Sequence, residues 1–225
     1  MKLAVFDFDS TLMDGETIEF LAKELGIQDE VKKITDKAMQ GELDFFESLT
    51  YRVGLLKGLP LKKVDEICSN LPPMNGARET IQELKKMDYK VVCFSGGFKN
   101  GTIPFMKKYG LDAEFSNILH SKDGILTGCV GGEMMFNYSK GQMLLKLQNL
   151  LGISRENTLV VGDGANDLSM FEYADKRVSF MGKDILKKNA NIIIEKKDLC
   201  LILDYLDHSI CWISFSLNDL KPSLS

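Results

Sequence analysis

Two carboxylates, Asp7 and Asp9, stand two residues apart directly after the apolar run Leu3-Ala4-Val5-Phe6. A buried, unpaired carboxylate is costly, and a divalent cation held between such groups removes that cost. Asp7-Phe8-Asp9-Ser10-Thr11 therefore reads either as a cation-binding strand end or as a solvated turn with an Asp cap. A second acidic group, Gly162-Asp163-Gly164-Ala165-Asn166-Asp167, follows another apolar run at residues 158–161. Its glycines permit tight turning, and its carboxylates and amide are hard oxygen donors of the kind Mg²⁺ takes. It could also be a plain glycine-rich turn in which Asp167 caps the next helix. Taken together the two groups favour a shared site, because the carboxyl ends of parallel strands lie on one edge of a sheet, where ligands bind.

Ser95-Gly96-Gly97 follows a third apolar run, at residues 91–94. A small hydroxyl followed by two glycines lets backbone N–H groups approach an anion, although a simple turn has the same composition. Lys140 opens the helical pattern of residues 141–151, where a cation opposes the helix dipole. It is either an ordinary surface lysine or the partner of a nearby anion.

The apolar runs that carry these groups, joined by those at residues 178–180 and 192–194, suit strands buried on both faces. Between them lie helical stripes such as Ala77, Ile81, Leu84 and Met87, or Met143, Leu144, Leu147, Leu150 and Leu151. The alternation predicts a Rossmann-like three-layer α/β core with a mostly parallel sheet. Residues 17–72 break the rhythm: they offer no strand, and Phe45, Leu49, Val53 and Leu56 recur at helical spacing, as do Val64, Ile67, Cys68 and Leu71. This predicts a small helical insertion, ended by Pro72-Pro73. The core is then expected over residues 1–16 and 73–206. Asp123-Gly124, between short strand-like stretches, predicts a hairpin. Residues 207–225 fit no pattern and read as an accessory strand, an interaction tail or a foreign segment.

The chain has 225 residues, 44% hydrophobic and 27% charged, with a formal net charge of −4. That balance suits one core with a smaller unit, and it excludes the broad basic surface that nucleic acids and anionic membranes select. Five scattered cysteines (Cys68, Cys93, Cys129, Cys200 and Cys211) lack the close pairs of a zinc or redox centre. A reducing, cytoplasmic setting is expected. Asp7 and Asp9 interrupt the first apolar run, so no signal peptide is expected, and no stretch approaches the roughly 20 apolar residues of a membrane span.

In chain order, Asp-x-Asp-x-Thr at 7–11, Ser-Gly-Gly at 95–97, Lys140, and Gly-Asp-Gly-x-Asn-Asp at 162–167 resemble the motifs of the haloacid dehalogenase superfamily of phosphatases. The resemblance runs from about Leu3 to Leu206 and implies that superfamily's fold, with the insertion at residues 17–72 as its cap domain. It implies Asp7 as a nucleophile that becomes an aspartyl-phosphate, and Asp9 as general acid, then general base. It implies Mg²⁺ held by the Asp7 carboxylate, the Asp9 main-chain carbonyl and Asp163, with Asn166 and Asp167 fixing the surroundings. Ser95, Gly96, Lys140 and Asn166 would face the phosphorylated substrate, with Thr11 and Gly97 in support.

Within the superfamily, the first motif followed by Glu16, the stretch Arg52-Val53-x-Leu55-Leu56, Ser95-Gly96-Gly97-Phe98, and residues 162–170 are similar to the phosphoserine phosphatases. By that resemblance Glu16 binds the substrate ammonium, Arg52 its carboxylate, and Met39 and Phe45 close the pocket on its apolar side. Each has a plainer reading: Glu16 as an acid at a helix start, Arg52 on a solvated helix face, Met39 and Phe45 as core of the insertion. The rival functions are a related phosphatase or phosphotransferase acting on phosphohomoserine, a sugar phosphate or a nucleotide, and a non-catalytic phosphate-binding regulator. A small-molecule substrate is the expected partner, with no nucleic acid, no membrane and no extra regulatory domain, in a monomer or homodimer.

Overall fold

The structure, a computed structural model, describes residues 1–206. The chain begins with β1 (Lys2–Phe6) and passes through four helices, α1 (Thr17–Glu24), α2 (Gln28–Met39), α3 (Phe45–Gly54) and α4 (Leu61–Ser69). Then follow α5 (Ala77–Lys86), β2 (Tyr89–Phe98), α6 (Lys99–Tyr109), β3 (Ala113–Lys122) and β4 (Ile125–Gly132). The remainder comprises α7 (Ser139–Leu151), β5 (Thr158–Gly162), α8 (Leu168–Phe171), β6 (Lys176–Phe180), α9 (Asp184–Lys187) and β7 (Ile192–Ile194).

The strands form one sheet in the order β4-β3-β2-β1-β5-β6-β7. All neighbours are parallel except β3 and β4. On one face Ala4, Phe6, Val91, Cys93, Leu159 and Val161 pack with Ile81 and Leu84 of α5 and Phe105 of α6. On the other, Leu3, Val5, Val92, Phe94 and Val160 pack with Leu144 of α7 and Met170 and Phe171 of α8. Burial on both faces is why these strands read as unbroken apolar runs, and the three layers follow from it. With β1 central and β2 and β5 beside it, the loops after Phe6, Phe94 and Gly162 meet at one edge.

Helices α1 to α4 carry a separate apolar cluster that includes Leu21, Val31, Leu49, Val53, Leu56 and Val64. The Asp44 side chain accepts from the Glu47 N–H at 2.9 Å, an N-cap that starts α3. The hairpin is longer than its apolar residues suggested, and it supports this unit. Its turn residues, Asp123 and Gly124, both have positive φ, 51° and 75°, the two-residue turn whose twist matches paired strands. Leu126 exchanges backbone hydrogen bonds with the α3–α4 segment: the Gly58 N–H donates to its carbonyl and its own N–H donates to the Leu59 carbonyl, both at 2.9 Å. Leu119 and Leu126 thereby join the apolar cluster of the helices.

Helix α6 carries both Gly101 and Pro104, which hid it from the periodicity. Gly101 lies so near Leu71 that an added Cβ would approach Leu71 Cδ1 to 3.0 Å, so tertiary packing overrides helix propensity there. The unassigned segment at residues 207–225 lies outside the described residues.

Candidate active site

At the end of β1, Asp7 is almost fully enclosed, and its Oδ1 accepts from the Phe8 N–H at 2.7 Å. The same oxygen meets Lys140 Nζ at 2.7 Å, while Lys140 also donates to Asp167 Oδ1 at 2.5 Å. Lys140, in the first turn of α7, is therefore no surface lysine: it sits buried between two carboxylates. Burial opposes its charge, but Asp167 and Asp7 more than offset this and hold the ammonium well above its ordinary pKa. Oδ2 of Asp7 has no hydrogen-bond partner among the described residues, so one carboxylate oxygen stays open.

Asp167 does not cap the following helix. Its Oδ2 turns back to accept from the N–H groups of Asp163 and Gly164, at 3.0 and 3.1 Å, and so closes the loop of residues 162–167 on itself. The loop needs Gly162 for this, because a Cβ there would overlap the Asp167 carboxylate.

One carboxylate oxygen from each of Asp7, Asp163 and Asp167 lies within 4.8 Å of the others. Three buried carboxylates against one ammonium leave a net charge of −2, which a divalent cation would neutralise. Burial, with Asp167 adding to it, raises Asp7 to a pKa of about 7, and burial and Asp7 push Asp163 up as well. Beside them the Asn166 Oδ1 is buried with no hydrogen-bond partner among the described residues. The donor set fits Mg²⁺, with carboxylate oxygens of Asp7 and Asp163 and the amide oxygen of Asn166 as the hard donors. Asp167 enters this cluster, and Asp9 does so through no side-chain oxygen.

Asp9 is held differently. Its Oδ1 accepts from both the N–H and the hydroxyl of Thr17, at 2.6 and 2.5 Å. Burial raises its pKa, and the two Thr17 bonds hold it back. With Oδ1 occupied, the proton of a neutral Asp9 belongs on Oδ2, which faces the Ser95 hydroxyl at 3.5 Å. Thr17 escaped the sequence reading, since its only signal is its place after Glu16. Gly97 donates its N–H to Ser95 Oγ at 2.8 Å. Thr11 lies away from the cavity, and its hydroxyl is buried without a partner among the described residues.

Asp7, Asp9, Gly96, Gly97, Asp163 and Asn166 line one end of a cavity whose other end is built from α1 to α3, whereas Ser95 and Lys140 are not among its lining residues. Glu16, Met39, Phe45 and Arg52 all reach it, joined by Ile18, Leu49 and Phe98. The helices close down because the core loops carry glycines. A Cβ at Gly96 would come within 2.5 Å of Phe45 Cζ, and one at Gly164 within 2.7 Å of Met39 Sδ.

Arg52 is 3% exposed, which removes the solvated-face reading. Its Nε donates to the Ser48 carbonyl at 3.2 Å and its Nη1 to Thr35 Oγ1 at 2.9 Å. A guanidinium has five N–H donors, so three remain for the cavity. No acid among the described residues pairs with it within 4.0 Å. Burial lowers its pKa, and the fields of Glu16, Asp9 and Glu19 offset this only in part. Across the cavity Glu16 accepts from the Ser10 hydroxyl at 2.7 Å, and burial and Asp9 raise its pKa to about 8. An unpaired cation and a strained acid in one enclosed space suit a ligand that brings one charge of each sign.

No helix among the described residues is long and apolar enough to cross a membrane. Cys68, Cys93, Cys129 and Cys200 are all free thiols.

Residues 1–175 match the family model of the haloacid dehalogenase-like hydrolases. Phosphoserine phosphatase of Wolinella succinogenes is 65% identical over 206 residues, 92% of this chain and 100% of that protein. That of Methanocaldococcus jannaschii is 50% identical over 205 residues, covering 91% and 97% respectively. Among solved structures, a phospho-aspartyl intermediate analogue of phosphoserine phosphatase superposes with a TM-score of 0.89 at 50% identity, covering 91% of this chain and 98% of that one. A substrate-bound phosphoserine phosphatase complex gives 0.88 at the same identity, covering 91% and 97%. The chain belongs to the phosphoserine phosphatase family of haloacid dehalogenase-like hydrolases.

Proposed function

We propose that the protein hydrolyses O-phosphoserine to serine and orthophosphate, the final step of serine synthesis, through an aspartyl-phosphate on Asp7. The observation that carries this reading is Arg52, a buried guanidinium with three free donors and no ion pair among the described residues, facing Glu16 across the cavity that Asp7 lines. A zwitterionic amino acid with a phosphoryl group on its side chain satisfies all three. Its carboxylate takes the forked donors of Arg52 and its ammonium takes Glu16. Met39 and Phe45 cover the apolar side, and residues 17–72 act as the cap that confers specificity.

In the first step Asp7 Oδ2 attacks phosphorus as the bond from phosphorus to the seryl oxygen breaks. Asp9 gives its Oδ2 proton to the departing alkoxide, and serine is formed. In the second step Asp9, now a carboxylate, takes a proton from water as that water attacks the phosphoryl group on Asp7. The Asp7 carboxylate is restored and orthophosphate leaves. Throughout, Lys140, the Ser95 hydroxyl and the Gly96 N–H face the charge on the transferring phosphoryl oxygens. Asp7, the Asp9 carbonyl and Asp163 would hold Mg²⁺, which when bound would supply positive charge to keep Asp7 ionised and to balance the phosphoryl group.

The free thiols and the acidic balance support a reducing, cytoplasmic setting, and nothing in the mechanism requires more than a monomer or homodimer. The test is phosphate release from phosphoserine, phosphothreonine, phosphohomoserine, sugar phosphates and nucleotides, each with and without Mg²⁺. A Mg²⁺-dependent preference for phosphoserine supports the assignment. Preference for another ester would overturn the roles of Glu16 and Arg52.

A further inference from the structure

Strands β2 and β3 pair in register from Val92 with Ala113 to Phe94 with Phe115, and resume at Phe98 with Asn117. Four steps along β2 thus face two along β3, and the surplus pushes Ser95, Gly96 and Gly97 out of the ladder. Backbone groups expelled in this way must find other partners. Asn117 supplies one. It is fully buried, and its Nδ2 donates to the Gly96 carbonyl at 3.0 Å and to the Met134 carbonyl at 3.1 Å. Its Oδ1 accepts from the Met134 N–H at 2.9 Å, which fixes which end of the amide is which. Gly132 packs on Asn117 so closely that an added Cβ would lie 2.7 Å from the Asn117 Cα.

The Gly96 carbonyl and the Gly97 N–H are the two ends of one peptide plane. Asn117 holds the first, and the second donates to Ser95 Oγ at 2.8 Å. Because that hydroxyl already accepts a proton, its own hydrogen must point elsewhere. Asp9 Oδ2 lies in that direction at 3.5 Å, on the side of the cavity.

We infer that Asn117 is a positioning residue for phosphoryl transfer: it locks the Gly96–Gly97 peptide plane and thereby makes Ser95 a hydrogen-bond donor to the phosphoryl group. The inference rests on the phosphoryl site proposed above but not on the identity of the ester.

The experiment is a double-mutant cycle of Asn117→Asp with Ser95→Ala in the Mg²⁺-loaded enzyme. It is read on phosphoserine and on para-nitrophenyl phosphate, whose hydrolysis does not require Glu16 or Arg52. Asn117→Asp keeps the acceptor for Met134 and sets an oxygen against the Gly96 carbonyl. In the Ser95 background kcat is expected to fall about 10-fold to 100-fold on both esters, the scale set by small misplacements of a catalytic donor, with KM little changed. In the Ser95→Ala background the same substitution is expected to change kcat less than about threefold, because coupled residues are not additive. An equal fall in both backgrounds means a general structural role and overturns the inference, as does an unchanged kcat. Where Asn117→Asp does not fold, Asn117→Ser removes the amide without opposing oxygens and carries the same cycle. If phosphoserine is not the substrate, the para-nitrophenyl phosphate arm still decides the role of Asn117.

Discussion

Replacing Arg52 by methionine is expected to move activity and stability in opposite directions. Two of the three free N–H groups of Arg52 can form a forked pair with a carboxylate. Hydrogen bonds to charged groups contribute about 1.5–3 kcal/mol each, and losing one member of a buried charge pair costs about 2–5 kcal/mol. A loss of about 3–4 kcal/mol corresponds to a fall of about 10²–10³ in kcat/KM for phosphoserine. Para-nitrophenyl phosphate has no carboxylate, so its kcat/KM should fall by less than about tenfold. Stability of the ligand-free protein behaves otherwise, because the wild-type cation is buried without an ion-pair partner among the described residues. A buried cation without an ion pair carries an uncompensated desolvation cost, so a packed apolar side chain in its place is expected to be neutral or stabilising. Each kcal/mol raises the Tm of a chain of this size by about 2–4 °C. The assays are steady-state kinetics on both esters and thermal unfolding without ligand. Equal loss on both esters would refute the carboxylate-reading role. A markedly lower Tm would refute the claim that Arg52 is held in readiness for a ligand at the expense of the empty fold.

Glu16, raised to about 8 by burial and by Asp9, holds its proton in the folded chain at pH values where the unfolded chain, near 4.5, has lost it. Its contribution to stability is therefore complete below about pH 4.5 and is lost as pH rises toward 8. Glu16→Gln should flatten this part of the decline in Tm measured in chelator, while abolishing selectivity for phosphoserine. Gly96→Ala forces Phe45 aside, so KM for phosphoserine should rise about tenfold or more. Adding Phe45→Leu, which shortens the obstructing side chain, should recover part of the loss. Lys140→Met leaves Asp7 and Asp167 without their shared cation. In chelator, urea unfolding should show a loss of about 3–5 kcal/mol, and Mg²⁺ should restore part of it.

The groups proposed to react stand out in the sequence because such chemistry demands particular residue types at strand ends. Asp7, Asp163, Ser95 and Lys140 each stood out against an apolar strand or a helix start, and the fold brings them to one edge. What could not be read is the set of residues that hold those groups in place. Thr35 meets Arg52 across 17 positions and Asn117 meets Gly96 across 21, and a buried Thr or Asn has no local pattern to separate it from a surface one. Asp167 shows the same limit from the other side. Its position before a helix matched a cap, yet the glycines around it let the loop fold back onto its carboxylate. The α6 helix was missed because Gly101 and Pro104 argue locally against it, whereas contacts with Leu71 and Phe8 settle it globally. The paired use of Met39 and Phe45 against Gly164 and Gly96 likewise needs two distant segments at once.

The central claim is that Asp7 carries the phosphoryl group. Rapid acid quench of the Mg²⁺-loaded enzyme with radiolabelled phosphoserine, followed by peptide mapping, tests it most directly. Label is expected on the peptide containing Asp7 within one turnover, and none in Asp7→Asn. Turnover without any labelled peptide, or label on a different residue, would contradict it.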